Sequence, residues 1–124
     1  MHVVEETEDR TTRTAAATMT ALAGPSRGSA ELSTWRVRMS AGTESPPHVV
    51  DRDQVWMPVA GTFAFTTPDG SAEVTAGQAV VVAAGEERRF RTVDGPAEAL
   101  VCMHPDGRAG VVGSGESHPL PWAG

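Results

Sequence analysis

Hydrophobic and polar positions alternate through the middle of the chain. Trp35, Val37 and Met39 interleave with Arg36, Arg38 and Ser40. That period of two puts apolar side chains on one face of a strand and polar ones on the other. Further strands are predicted at residues 55–60, 62–66, 71–75, 79–83, 88–93 and 98–103. Ser45-Pro46-Pro47, Pro68-Asp69-Gly70, Ala76-Gly77, Ala84-Gly85 and Asp94-Gly95-Pro96 supply the turns that antiparallel connections require. Short strands at nearly regular spacing, with no helices between them, predict an all-β sandwich or barrel.

The ends carry a different pattern. Residues 1–14 are polar and acidic without a period, and read as a mobile N-terminal arm; residues 15–124 then form one domain with a C-terminal extension. Residues 14–23, rich in Thr and Ala, fit either one short helix or an extended segment lying on the sheet. After Pro105 the chain turns Gly-rich and loses its alternation, and residues 119–122 offer an aromatic anchor for the outside of the sheet.

Composition narrows the function. A chain of 124 residues is one domain. The longest apolar run, residues 79–84, is far short of the roughly 20 residues that span a bilayer. Glu5, Glu6, Glu8 and Asp9 stand where a secretory signal would carry positive charge, so a cytoplasmic location is expected. Sixteen acids against ten bases, a net charge of −6, argue against nucleic acid; the cluster Arg88, Arg89 and Arg91 is too short for a phosphate track. Cys102 is the one cysteine, which leaves no disulfide framework and no cysteine zinc site. Met57, Cys102 and Met103 read as packing residues.

Two spacings are more specific. Gly42, five residues, His48, one residue, Val50, three residues, Gln54, six residues and Gly61 form the first. Gly77, five residues, Ala83, one residue, Gly85, two residues, Arg88, three residues and Thr92 form the second. Over residues 33–105 the chain resembles the cupin family, small jelly-roll barrels of two antiparallel sheets. In particular it resembles the single-domain cupins of bacterial secondary metabolism, some of which cyclise polyketides. The resemblance also implies a homodimer, with the polar faces of edge strands as candidate contacts.

That resemblance implies a metal held by two His and a Glu or Gln of the first motif and a His of the second. His48 and Gln54 match two of these positions. Val50 replaces the second His and donates nothing, and Arg88 replaces the third with a fixed positive charge. Two neutral donors beside a guanidinium make a poor divalent site. No metal and no cofactor is therefore expected, a weak divalent ion on His48 and Gln54 remaining the alternative.

His48, Arg88 and Gln54 are the candidate catalytic residues. Imidazole, with an unperturbed pKa of about 6.5, suits a general base near neutral pH. Arg88 suits stabilisation of an enolate, phenolate or carboxylate, and if it points inward it needs an acidic partner such as Glu86 or Glu87. Val50, Trp56, Phe63, Phe65, Phe90 and His104 are the candidate substrate-binding residues: Val50 leaves an apolar hole, Trp56 shares the parity of Gln54, and the phenylalanines are its expected neighbours. Asp51 and Asp53 read as solvated loop positions, and His2 and His118 carry no assigned role.

These residues suit a small-molecule enzyme using metal-independent proton transfer, of cyclase, isomerase or lyase type: cyclisation, isomerisation, dehydration or another elimination. A non-catalytic ligand-binding or regulatory cupin, or an engineered cupin with its metal site erased, would show the same losses. The barrel interior separates enzyme from structural protein. A sizeable pocket with His48 on its wall favours the enzyme.

Overall fold

The computed structural model describes residues 1–124. The alternation at Trp35 sets the frame. In β3 (Ser33–Met39), Ser33, Trp35, Val37 and Met39 are buried, while Arg36 and Arg38 point out. The partner strand β8 (Arg89–Met103) answers in register: Trp35 faces Val101, Val37 faces Ala99 and Met39 faces Ala97. Small residues opposite large ones let the two strands share one apolar face.

The remaining strands are β1 (Thr11–Arg13), β2 (Thr18–Ala21), β4 (His48–Val50), β5 (Gln54–Thr67), β6 (Gly70–Thr75), β7 (Val80–Val82), β9 (Arg108–Val111) and β10 (His118–Pro119). All pairings are antiparallel, and only short 3-10 turns accompany them. The large sheet runs β1-β2-β3-β8-β5-β6, with β7 also on β5; the small sheet runs β10-β9-β4. The main core lies between them. No helix is long and apolar enough to cross a membrane.

Strand pairing does not close the two sheets into the expected barrel. The segment leading into and starting β4 meets β8 and its approach only through isolated bridges, Glu44 to Arg91 and His48 to Arg88.

Several boundaries also differ from the sequence reading. Residues 55–60 and 62–66 form one bent strand, β5, and residues 88–93 and 98–103 form one strand, β8. The turn expected at Asp94-Gly95-Pro96 is a bend within β8, because β5 bulges opposite it between Pro58 and Thr62 and the ladder continues past. Gly61 sits in that bulge with φ of 71°. A Cβ there would strike the Pro96 carbonyl and the Ala97 backbone, so both conformation and space demand glycine.

The first 14 residues are not a free arm. Residues 11–13 form the edge strand β1 on β2, and Glu6 accepts from Arg36 Nε at 3.0 Å and Arg38 Nη2 at 3.1 Å. Those cations lie on the polar face of β3, which periodicity located but could not pair. The segment around residues 14–23 is extended as β2, not helical. Beyond Pro105, β9 and β10 supply most of the small sheet despite their broken alternation.

Candidate functional site

A cavity of about 480 Å³ opens between the sheets. Met19, Trp35, Val37, Gln54, Trp56 and Phe90 line it from the large sheet, Ala17 from just before β2, and His48, Val50 and Ala109 from the small sheet. The tail from His118 to Trp122 forms the remaining wall. The lining is overwhelmingly apolar and aromatic, with few polar groups, the usual make-up of a small-molecule site.

The structure brings His48, Val50, Gln54, Trp56 and Phe90 together on this wall. Period-two geometry is the reason for Gln54 and Trp56, which point to the same side of β5. Phe63 and Phe65 stay behind the wall. They pack edge-on against Trp56, with ring centres at 5.7 and 5.1 Å, and do not line the cavity. His104 is corrected outright: it lies on the surface, its Nδ1 2.6 Å from Asp106 Oδ1, while Asp106 also accepts two hydrogen bonds from Arg52. Strand β8 ends at Met103, so nothing holds His104 inward.

His48 has a defined tautomer. Its Nδ1 lies 2.9 Å from the Pro46 carbonyl oxygen. A carbonyl can only accept, so Nδ1 carries the hydrogen and Nε2 is left with its lone pair. The ring stands edge-on to Phe90, centres 5.6 Å apart. Burial, and to a lesser degree the Arg88 charge, hold His48 below the ordinary value of 6.5, partly opposed by the Pro46 contact. The neutral imidazole is therefore the resting form at pH 7.

Gln54 is buried and its amide is oriented by two donors. Trp56 Nε1 donates to its Oε1 at 3.2 Å and Arg88 Nη1 at 3.4 Å. Gln54 Nε2 in turn points one hydrogen at Met103 Sδ, 3.5 Å away. The second N–H has no partner within the protein.

Arg88 is 1% exposed and lies one side chain behind the cavity wall, not on it. Its other donors meet the Glu86 carbonyl at 2.8 Å and the Ala83 carbonyl at 3.1 Å. The expected acidic partner is missing: Arg88 belongs to none of the ion pairs of the structure. Burial pulls its pKa down, while the Glu86 charge pushes it up.

The metal implied by the resemblance does not fit this donor set. Gln54 Oε1 is committed to two N–H donors, Val50 has no ligating atom, and the guanidinium of Arg88 stands among these positions. Nowhere else do three or more His, Cys, Asp or Glu side chains gather in a way that could hold an ion.

Sequence reasoning missed several wall residues. Ser45, read only as a turn residue, is buried beside Phe90, whose N–H donates to its Oγ at 3.0 Å. Trp35 and Val37 could have been found, since they share the inward parity of β3. Trp122, expected outside the sheet, packs at 6.4 Å and 60° against Trp35 and walls the cavity. His118 stands at the same edge, exposed, 3.6 Å from Glu116.

No family model and no curated protein matches the sequence. Solved structures match the fold. The polyketide cyclase RemF from Streptomyces resistomycificus superposes with a TM-score of 0.71 at 18% identity, over 94% of this chain and 80% of that one. The DMSP lyase DddQ from Ruegeria pomeroyi gives 0.67 at 22% identity, over 96% of this chain but only 60% of the lyase. An RmlC-like cupin from Methanocaldococcus jannaschii, with a double-stranded β-helix fold, gives 0.66 at 14% identity, over 84% and 90%. The chain has the cupin fold, and the proteins that share it include a cyclase and a lyase.

Proposed function

We propose that the protein is a small-molecule enzyme that uses His48 as a general base, without a metal, on an apolar carbonyl compound held in the cavity. One observation carries this reading. Nδ1 of His48 is tied to a carbonyl on the wall of a largely apolar cavity, and Nε2 is left neutral and free to take a proton. A base in that state removes a proton beside a substrate carbonyl, and the free N–H of Gln54 meets the oxygen on which charge develops. Arg88, bonded to the far end of the same amide, strengthens that donor by polarising it. Trp56 and Phe90 line the same cavity and supply aromatic surface for a ring to pack on. Such chemistry starts cyclisations, isomerisations and eliminations. The polyketide cyclase among the structural neighbours is in keeping with a cyclisation. A roomy interior also favours an enzyme over a cupin kept only as a scaffold.

The test is hydrogen exchange on 2-tetralone in deuterated buffer, followed by NMR. The expected result is exchange beside the carbonyl catalysed by the parent protein and slowed about 10²–10⁴-fold in His48→Ala. An unchanged rate in a folded His48→Ala variant, or no catalysis by the parent, would overturn the reading.

A further inference from the structure

We propose that Arg88 is a built-in cation and that the cavity selects ligands carrying one delocalised negative charge, such as a phenolate or an enolate. This rests on the same cavity as the proposed function but not on turnover. The guanidinium is buried and meets only neutral atoms: two main-chain carbonyls and the Gln54 amide oxygen. A buried charge without a counter-charge is costly, and an anion placed nearby recovers part of that cost. Glu86 is the acid that acts on Arg88, but it comes no closer than an ion-pair distance of 4 Å, and Glu116 stands at the exposed edge beside His118. Gln54, the wall residue that Arg88 touches, also holds Trp56, and the cavity beyond is largely apolar.

The chemistry of Gln54 relays the charge. Arg88 and Trp56 both donate to its oxygen, and one N–H of its nitrogen points at Met103 Sδ, so the second N–H is the donor left for an acceptor. A localised, strongly hydrated anion would lose too much solvation among apolar walls. A delocalised one loses less and gains from both the amide N–H and the cation behind it. The arrangement places a fixed positive charge among the positions where the resemblance puts a metal.

The experiment compares 4-nitrophenol with 4-nitroanisole, which has nearly the same shape but cannot ionise. Binding is followed by absorbance and by tryptophan fluorescence. In the parent protein the phenolate is expected to bind about tenfold more tightly than the phenol, lowering the pKa of the bound phenol by about one unit. The nitroanisole is expected to bind independently of pH across the same range. Arg88→Met should abolish the lowering, and Arg88→Lys should retain part of it, which covers the case in which the methionine variant does not fold. Loss of tetralone exchange in His48→Ala tests the base, and loss of the lowering in Arg88→Met tests the cation, so the two failures are read separately. A bound pKa equal to or above that in water, a lowering that persists in folded Arg88→Met, or no binding of the phenolate at millimolar concentration would each overturn the proposal.

Discussion

Arg88 donates to Gln54 across 34 positions of sequence, Nη1 to Oε1 at 3.4 Å. The same oxygen holds the Trp56 indole N–H at 3.2 Å. These contacts turn a pair of motif positions that resemble metal ligands into a hydrogen-bonded unit with a net positive charge. Consequences for titration, metal binding and stability follow from it and from the contacts around it.

The titration of His48 should report Arg88. In the parent, NMR of the His48 ring should give a pKa below 6.5, since burial and the Arg88 charge both act downward. Arg88→Met should move it part of the way back, because burial, the larger cause, is unchanged. An identical value in both proteins would show that the guanidinium field does not reach the ring.

The same shift makes stability fall in acid. The unfolded chain takes up a proton on histidine near pH 6.5, whereas folded His48 resists it to lower pH. Between those two values the unfolded state binds more protons, so stability declines as pH drops through that window. Urea unfolding at pH 7.5 and 5.5 should show this decline, and His48→Gln should show less of it. Equal declines would assign the effect to other groups.

Divalent metal should be retained at well under one equivalent per chain after dialysis, judged by elemental analysis. Val50→His combined with Arg88→His restores two donors, removes the cation and frees Gln54 Oε1 from one of its two donors. That variant is expected to hold about one equivalent. Stoichiometric metal in the parent, bound through His48 and Gln54, would contradict the reading of the donor set.

Trp122 should reveal the cost of a stranded donor. Its Nε1 is buried without an acceptor, while its ring packs on Trp35. Trp122→Phe discards the stranded N–H and keeps much of the packing, so stability should stay within about 1 kcal/mol of the parent. Trp122→Ala strips the cavity wall and should cost about 2–4 kcal/mol. Urea titrations that found both variants equally damaged would mean that the N–H contributes after all.

Period-two alternation is a local property, and the sequence determined whatever depended on it. It set the inward faces of Trp35, Val37 and Met39. It also placed Gln54 and Trp56 on one side of β5, and motif spacing carried His48 and Val50 to the same wall. The physical reason is steric: once a segment is extended, successive side chains must point to opposite faces, and apolar ones must all find one interior.

Only the tertiary structure decided what met across that interior. Asp94-Gly95-Pro96 has turn composition, yet it continues a strand because the partner strand bulges at Gly61. The acidic N-terminus has no apolar period to announce a position, and it is held by Arg36 and Arg38 of another strand. The C-terminal tail is fastened by Ser33 to the Ala123 carbonyl and by Ser26 to the Gly124 carbonyl at 2.8 Å, contacts that span 90 and 98 positions of sequence and swing Trp122 over the cavity. Arg88 was legible as a cation at a ligand position, but its lack of a counter-ion was not. Charge pairing is a property of neighbours in space, and those neighbours come from segments whose approach no local pattern encodes.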